Sequence, residues 1–176
     1  MENVLWVRPM KVNGGFLKIE SGKISYCLKP GKNHEHISLF KNHSLEPETL
    51  IKSWGIGEME GLVMRRFLLK QNSVEIYFKT RKSVFFCFYG SSPEEYATII
   101  NELTLLCGLS NIAPDNILNT VVDPIKNWET TQLTERWLNY EISNFDYLMC
   151  LNMASGRTNC DLNQYPVMPW VFSQYL

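Results

Sequence analysis

Histidine is scarce in this chain of 176 residues: His34, His36 and His43 are the only three, and all lie in one polar stretch. No cysteine stands near them and their spacing is not that of a zinc site, so they read as loop residues and no metal is expected. The motifs GxSxG, HExxH, GxGxxG and the P-loop are absent. Glu94 and Glu95 open a helix rather than pair as acid and base, which leaves a chain expected to be non-enzymatic and free of cofactors. Nowhere do about 18 apolar residues follow one another, as a membrane-crossing helix requires. Arg8 and Lys11 interrupt the N-terminal apolar stretch, so no signal peptide is expected either. The five cysteines are odd in number, lack CxxC spacing and sit mostly inside apolar runs. That pattern suits reduced, buried thiols and a cytoplasmic protein. With 17 basic against 18 acidic residues the net charge is -1, which gives no overall attraction for nucleic acid or anionic lipid.

What is present reads first as short strands. Residues 3–12 are rich in β-formers, Asn13-Gly14-Gly15 has turn chemistry, 16–20 alternates, Ser21-Gly22 turns, and 23–28 alternates Ile24, Tyr26 and Leu28 with polar neighbours. A polar stretch from Lys29 to Pro47 predicts a long loop around a short strand at 37–40. Further strands are expected at 51–59, 61–69, 74–78 and 84–89, with turns at Asn72-Ser73 and Arg81-Lys82. Ser92-Pro93-Glu94-Glu95 then predicts a helix start, with a capping serine, proline at the first helical position and a glutamate three residues after the cap. Tyr96, Ile99, Ile100, Leu103 and Leu106 recur at helical spacing, and Gly108 stands where the helix should end. About seven strands followed by one helix is the order of a pleckstrin-homology (PH) type sandwich or barrel, although lipocalin-like and other barrels share it.

Two segments narrow the reading. The first contains Trp54, Glu58, Leu62, Arg65, Arg66, Phe67, Leu68 and Leu69, then Val74, Glu75, Ile76 and Tyr77. The second holds Arg136, Trp137, Ile142 to Phe145, Tyr147 to Met149, Leu151, Asn152, Gly156, Arg157, Asp161, Leu162, Gln164 to Val167, Pro169 and Trp170. In order and spacing the first resembles the PH-like domain that precedes BEACH domains, and the second resembles the start of a BEACH domain, the module of neurobeachin and the lysosomal trafficking regulator. Ser155, Cys160 and Met168 depart from the family pattern, which usually has Ala, often Asn and usually Phe there. The resemblance implies a PH-like domain over 1–110, a linker over 111–129 and the N-terminal fragment of a BEACH domain over 130–176. Short helices are expected at 131–139 and at 144–154, the latter capped by Ser143 and stopped at Gly156.

Strand alternation sends Arg65 and Arg66 to opposite faces, so at least one should leave the core. An arginine on a sheet face can pair with a carboxylate of a docked domain. The resemblance implies such a dock, so Trp54, Glu58, Arg65 and Arg66 are the candidate interface with a BEACH domain or another partner. The BEACH motif residues are Trp137, Asn144, Phe145, Asn152, Arg157, Asp161, Gln164, Tyr165 and Pro166; of these Asn152, Arg157, Asp161 and Gln164 read as hydrogen-bonding braces for irregular backbone around Gly156, Pro166 and Pro169 rather than as a catalytic cluster. Apolar residues of the 144–154 helix need a surface, so this end is expected to fold back on the PH domain, self-associate, or stay mobile and aggregation-prone, with poor order beyond about Asn127 in an isolated monomer.

The expected function is that of a non-enzymatic scaffold or adaptor, resembling proteins of vesicle trafficking and membrane dynamics. Its partners would be proteins, including the rest of a BEACH domain, and it would be cytoplasmic with peripheral endomembrane contact. The alternative is a phosphoinositide-binding adaptor, for which Lys11 and Lys18 are the lipid candidates. One lysine on each strand is a thin clamp for several phosphates. Liposome flotation at physiological salt should therefore show little preference among phosphoinositides. A submicromolar affinity for one isomer, abolished by Lys18→Glu, would refute this.

Overall fold

The computed structural model describes residues 3–20, 22–28, 51–109, 117–118 and 124–169. The strand expected at 37–40 and the three histidines lie outside the described residues. The strands are Val4–Arg8 (β1), Lys11–Glu20 (β2), Lys23–Leu28 (β3), Ile51–Gly55 (β4), Met59–Phe67 (β5), Lys70–Phe78 (β6), Ser83–Phe88 (β7) and Ile117–Leu118 (β8). They form one sheet in the order β4-β3-β2-β1-β7-β6-β5-β8. Every pairing is antiparallel except that of β8, which joins the edge of β5 in parallel through Leu62↔Ile117 and Val63↔Leu118. The seven antiparallel strands and the helix Pro93–Leu109 (α1) make the PH-like fold.

β1 and β7 explain the architecture best. Val4, Leu5, Trp6 and Val7 are all buried, as are Val84 to Phe88, so these strands read as continuous apolar runs rather than alternations. Alternate residues enter two different cores. Val4, Trp6, Phe86 and Phe88 join Leu17, Ile24, Tyr26, Leu62 and Ile76 on one face, against Ile100 and Leu103 of α1. Leu5, Val7, Phe85 and Cys87 join Phe67 on the other face, where Cys160 covers them. The helix begins with a reciprocal box: the Ser92 hydroxyl accepts from the Glu95 amide at 3.2 Å, and the Glu95 carboxylate accepts from the Ser92 amide at 2.9 Å. It continues through Gly108, where an end was expected, to Leu109.

Two turns differ from the sequence reading. Asn13-Gly14-Gly15 lies inside β2, and the hairpin turn falls at Pro9-Met10, between Arg8 and its partner Lys11. The glycine there serves close approach. A Cβ on Gly15 would meet the Cys27 carbonyl oxygen at 2.3 Å and the Tyr26 ring at 2.6 Å. That ring lies across β2 so that its hydroxyl can donate to the Asn13 carbonyl at 2.6 Å. The β5–β6 turn is Leu68-Leu69, not Asn72-Ser73, and β5 ends at Phe67. The stretch expected as one strand over 51–59 is β4, then a single 3-10 turn at Ile56–Glu58, then the start of β5.

Residues 111–129, expected as a linker, contain β8 and most of the helix Pro124–Thr131 (α2). Pairing with β8 satisfies backbone groups on the β5 edge that would otherwise lack a partner. Gln132, with φ of 50°, separates α2 from Leu133–Leu138 (α3), so the helix expected at 131–139 is two. Asn144–Ala154 (α4) starts at Ser143, whose hydroxyl accepts from the Asp146 amide at 3.1 Å. It ends with Gly156 at φ of 84°, where the Arg157 amide returns to the Asn152 carbonyl at 2.9 Å.

Replacing Gly15 by alanine should lower the free energy of unfolding by about 1–3 kcal/mol, because the backbone of β3 must shift to admit the methyl group. Gly57→Ala, whose Cβ meets nothing within 4 Å, should be neutral to within about 0.5 kcal/mol. Urea unfolding of the two variants checks the contrast; equal effects would remove the close-approach explanation.

Candidate functional site

The second face of the sheet carries a charged cluster. Antiparallel pairing sets Val63 opposite Glu75, so Arg65, two residues on, is the diagonal same-face neighbour of that glutamate. Both side chains are 1% exposed, and the Arg65 Nε donates to Glu75 Oε2 at 2.9 Å. Arg65 Nη2 donates to the Tyr77 hydroxyl at 3.0 Å. Its remaining terminal nitrogen, Nη1, donates to the carbonyl of Met153, near the end of α4, at 2.7 Å. Glu75 Oε1 accepts from Ser83 at 2.8 Å and from the Thr158 hydroxyl at 2.7 Å. Arginine and glutamate therefore each bond both to the sheet and across to the helical segment, Arg65 to the last turn of α4 and Glu75 to Thr158 beyond it.

That segment is shaped to reach them. The Thr158 hydroxyl also accepts from the Cys160 amide at 3.0 Å, and the Thr158 amide donates to the Gln164 carbonyl at 2.7 Å. Cys160 packs on the apolar face formed by Leu5, Val7, Phe67 and Phe85. Burial raises the Cys160 thiol pKa above its ordinary value, helped by the nearby Glu75 charge, and pushes Cys87 up to about 11. Burial, with Glu75 beside it, likewise holds Tyr77 protonated well above the usual phenol range. Both thiols pack within the same apolar cluster.

The BEACH motif residues fall into a bracing set and an exposed set. Buried Asn152 donates to the Leu148 and Val167 carbonyls at 2.9 and 2.8 Å and accepts from the Val167 amide at 2.8 Å. Buried Asp161 accepts from the Asn163 amide at 2.9 Å and from the Gln164 side chain at 3.3 Å. Arg157 donates to the Tyr165 carbonyl at 2.9 Å. Trp137 donates to Asn144 at 2.8 Å and stacks on Tyr147 with centroids 4.6 Å apart. Phe145 and Tyr165 are exposed, and Pro166 is half-buried.

The four residues expected at an interface are distributed differently. Arg65 reaches the Met153 carbonyl in the last turn of α4 through its side chain, whereas Arg66 is exposed and accepts from the Gln164 side chain with its carbonyl at 3.4 Å. Trp54 packs on Trp6, Phe78 and Phe86 in the opposite core. Glu58 is exposed in the 3-10 turn, its carbonyl accepting from the Lys79 amide at 2.9 Å. Of the lipid candidates, Lys18 is paired with Glu20 at 2.6 Å, while Lys11 sits opposite Arg8 beside the β1–β2 turn. Among the described residues no group of His, Cys, Asp or Glu is placed to hold a metal ion, and no helix is long and apolar enough to cross a membrane.

Sequence reasoning missed Glu75, Tyr77, Ser83, Thr158 and Cys160 as members of one cluster. A signal for Glu75 existed, since a lone carboxylate inside Val-Glu-Ile-Tyr-Phe must be paired if that run is buried. Thr158 carries no such signal.

Residues 5–104 match the family model described as PH domain associated with Beige/BEACH, and 135–176 match the Beige/BEACH domain. The chain is 32% identical over 129 residues to the putative neurobeachin homolog of Caenorhabditis elegans, covering 73% of this chain and 5% of that protein. It is 38% identical over 123 residues to the BEACH domain-containing protein lvsE of Dictyostelium discoideum, covering 69% of this chain and 5% of the relative. With BEACH domain-containing protein B of Arabidopsis thaliana it shares 30% identity over 167 residues, 91% of this chain and 6% of the relative. It thus spans only 5–6% of the length of these relatives. Since the first family model alone takes in more than half of its residues, the chain belongs to the PH-BEACH family.

Proposed function

We propose that the chain is a non-enzymatic scaffold of vesicle trafficking and membrane dynamics, working through contacts with protein partners. The observation that supports this reading best is the Arg65–Glu75 cluster. Its polar groups tie the end of α4 and the segment after it to the PH-like sheet, so the buried chemistry of this site serves docking. In this reading the PH-like sheet and the BEACH opening present one rigid unit, and a partner docks beside the seam between them. The trafficking role itself rests on the family resemblance.

Arg65→Ala leaves the Glu75 charge buried without its partner and should destabilise the chain by about 3–5 kcal/mol. Replacing the pair together, as Arg65→Met with Glu75→Leu, should cost less, because no charge is left unpaired. Thr158→Val removes one bond to the carboxylate and should cost about 1–3 kcal/mol. Chemical denaturation measures the costs, and hydrogen exchange shows whether amides 145–160 lose protection before those of α1. Simultaneous loss in both regions would mean that the segment is not a separately docked unit.

In cells, the whole chain should slow surface delivery of a vesicle cargo by competing for partners of complete family proteins. Arg65→Ala should lose that effect at equal expression. Delivery untouched by the wild-type chain would count against the scaffold reading, and an undiminished effect of the variant would remove the cluster from it.

A further inference from the structure

The β5–β6 hairpin turns through two residues, Leu68 and Leu69, with φ of 49° and 66°. A two-residue turn with both φ values positive favours Asn-Gly, Asp-Gly or Gly-Gly, because the left-handed region crowds a side chain. Leucine is a poor choice for either position, and the fold gains little from the side chains: Leu69 is 96% exposed and Leu68 54%. Backbone held against its local preference gathers at positions selected for something other than stability.

The surroundings of the turn indicate what that is. Arg66 and Lys70 flank the leucines, both are exposed, and neither enters an ion pair among the described residues. Arg66 to Asn72 contains no acidic residue. The base of the hairpin is firm, since Phe67 is buried against Phe85 with ring centroids 6.0 Å apart. The result is a rigid apolar apex above a basic collar. At about 3.3 Å per strand residue, the collar lies one or two residues below the apex. That offset is comparable with the roughly 5–10 Å to which interfacial segments sink between headgroup phosphates and acyl chains. A hairpin can enter that layer cheaply, because its backbone groups already pair across the strands.

We propose that Leu68-Leu69 is a wedge that inserts into the surface of an anionic bilayer, with Arg66 and Lys70 on the lipid phosphates. Charge complementarity selects a bilayer over a protein groove as the occupant: the two cations enter no ion pair among the described residues, and the apex is too narrow to form an apolar docking face. Two leucines and two cations make a weak anchor, comparable with a single lipid chain that needs a second contact to hold stably. Such a contact reads surface charge and does not distinguish phosphoinositide isomers.

The test is co-sedimentation of the whole chain with phosphatidylcholine vesicles, with and without about 30% phosphatidylserine, at about 0.15 M salt. Binding is expected only to the anionic vesicles. Leu68→Asn with Leu69→Gly installs the preferred turn, so it should raise the thermal midpoint while cutting the partition coefficient about tenfold. Removing the cations, as Arg66→Gln with Lys70→Gln, should weaken binding about fivefold per charge. Phe145→Ser, at an exposed apolar residue of α4, should leave binding unchanged. The proposal fails if the Asn-Gly variant binds anionic vesicles as well as the wild type, or if it lowers the thermal midpoint, which would make the leucines structural. It fails equally if the wild-type chain ignores anionic vesicles but self-associates in a way the Asn-Gly variant abolishes, because the apex would then meet a second copy.

Discussion

Burying an arginine and a glutamate at 1% exposure is the constraint around which this molecule is arranged. Removing two charges from water is expensive, and their mutual attraction offsets that cost only when the other donors and acceptors are also satisfied. The β5–β6 hairpin cannot satisfy them alone. Tyr77 and Ser83 supply partners from the sheet, and Met153 and Thr158 supply the rest from across the seam. The pair is therefore comfortable only when the BEACH opening is seated. Such an arrangement makes position specific: a segment that slid by one residue would leave a charge unmatched, whereas an apolar seam would tolerate the shift.

The apolar half of the same seam works differently. Cys160 adds a small, polarisable side chain to Leu5, Val7, Phe67 and Phe85, giving non-directional burial beside directional bonds. Asn152 stands behind, holding the irregular backbone at Val167, and Asp161 caps the short 3-10 turn Leu162–Gln164. Regular structure thus supplies the platform, while buried amide and carboxylate side chains shape the irregular chain that meets it.

Much of this fold was legible because local chemistry and global position agree. β3 alternates, α1 carries its capping box, and α4 lies between Ser143 and Gly156. Misreadings arose where a residue type answers to a distant neighbour. Gly14-Gly15 has turn chemistry, yet Gly15 is small to admit the ring of Tyr26 from the next strand. Leu68-Leu69 reads as strand by hydrophobicity but turns the chain. Alternation showed that Arg65 and Arg66 part company; deciding which one faces the seam needed the register that sets Glu75 beside Arg65. Trp54 belongs to the family segment but is core, since a signature reports what a family keeps without separating packing from contact. The strand in 111–129 and the role of Thr158 depend on tertiary pairing that no local pattern announces.

Burial of β1 and β7 on both faces has a consequence for how the chain is made. On the ribosome, Val84 to Phe88 emerges long before its cover, since Thr158 follows Phe88 by 70 residues. At about 5–20 residues per second, the face bearing Phe85 and Cys87 waits roughly 4–14 s for the segment around Cys160. During that interval a Val-Phe-Phe-Cys-Phe strand presents the kind of short, uncharged β-rich surface on which chains stick to one another. The seam is thus also a clock, and the nascent protein depends on being kept apart from its neighbours until the latch residues arrive.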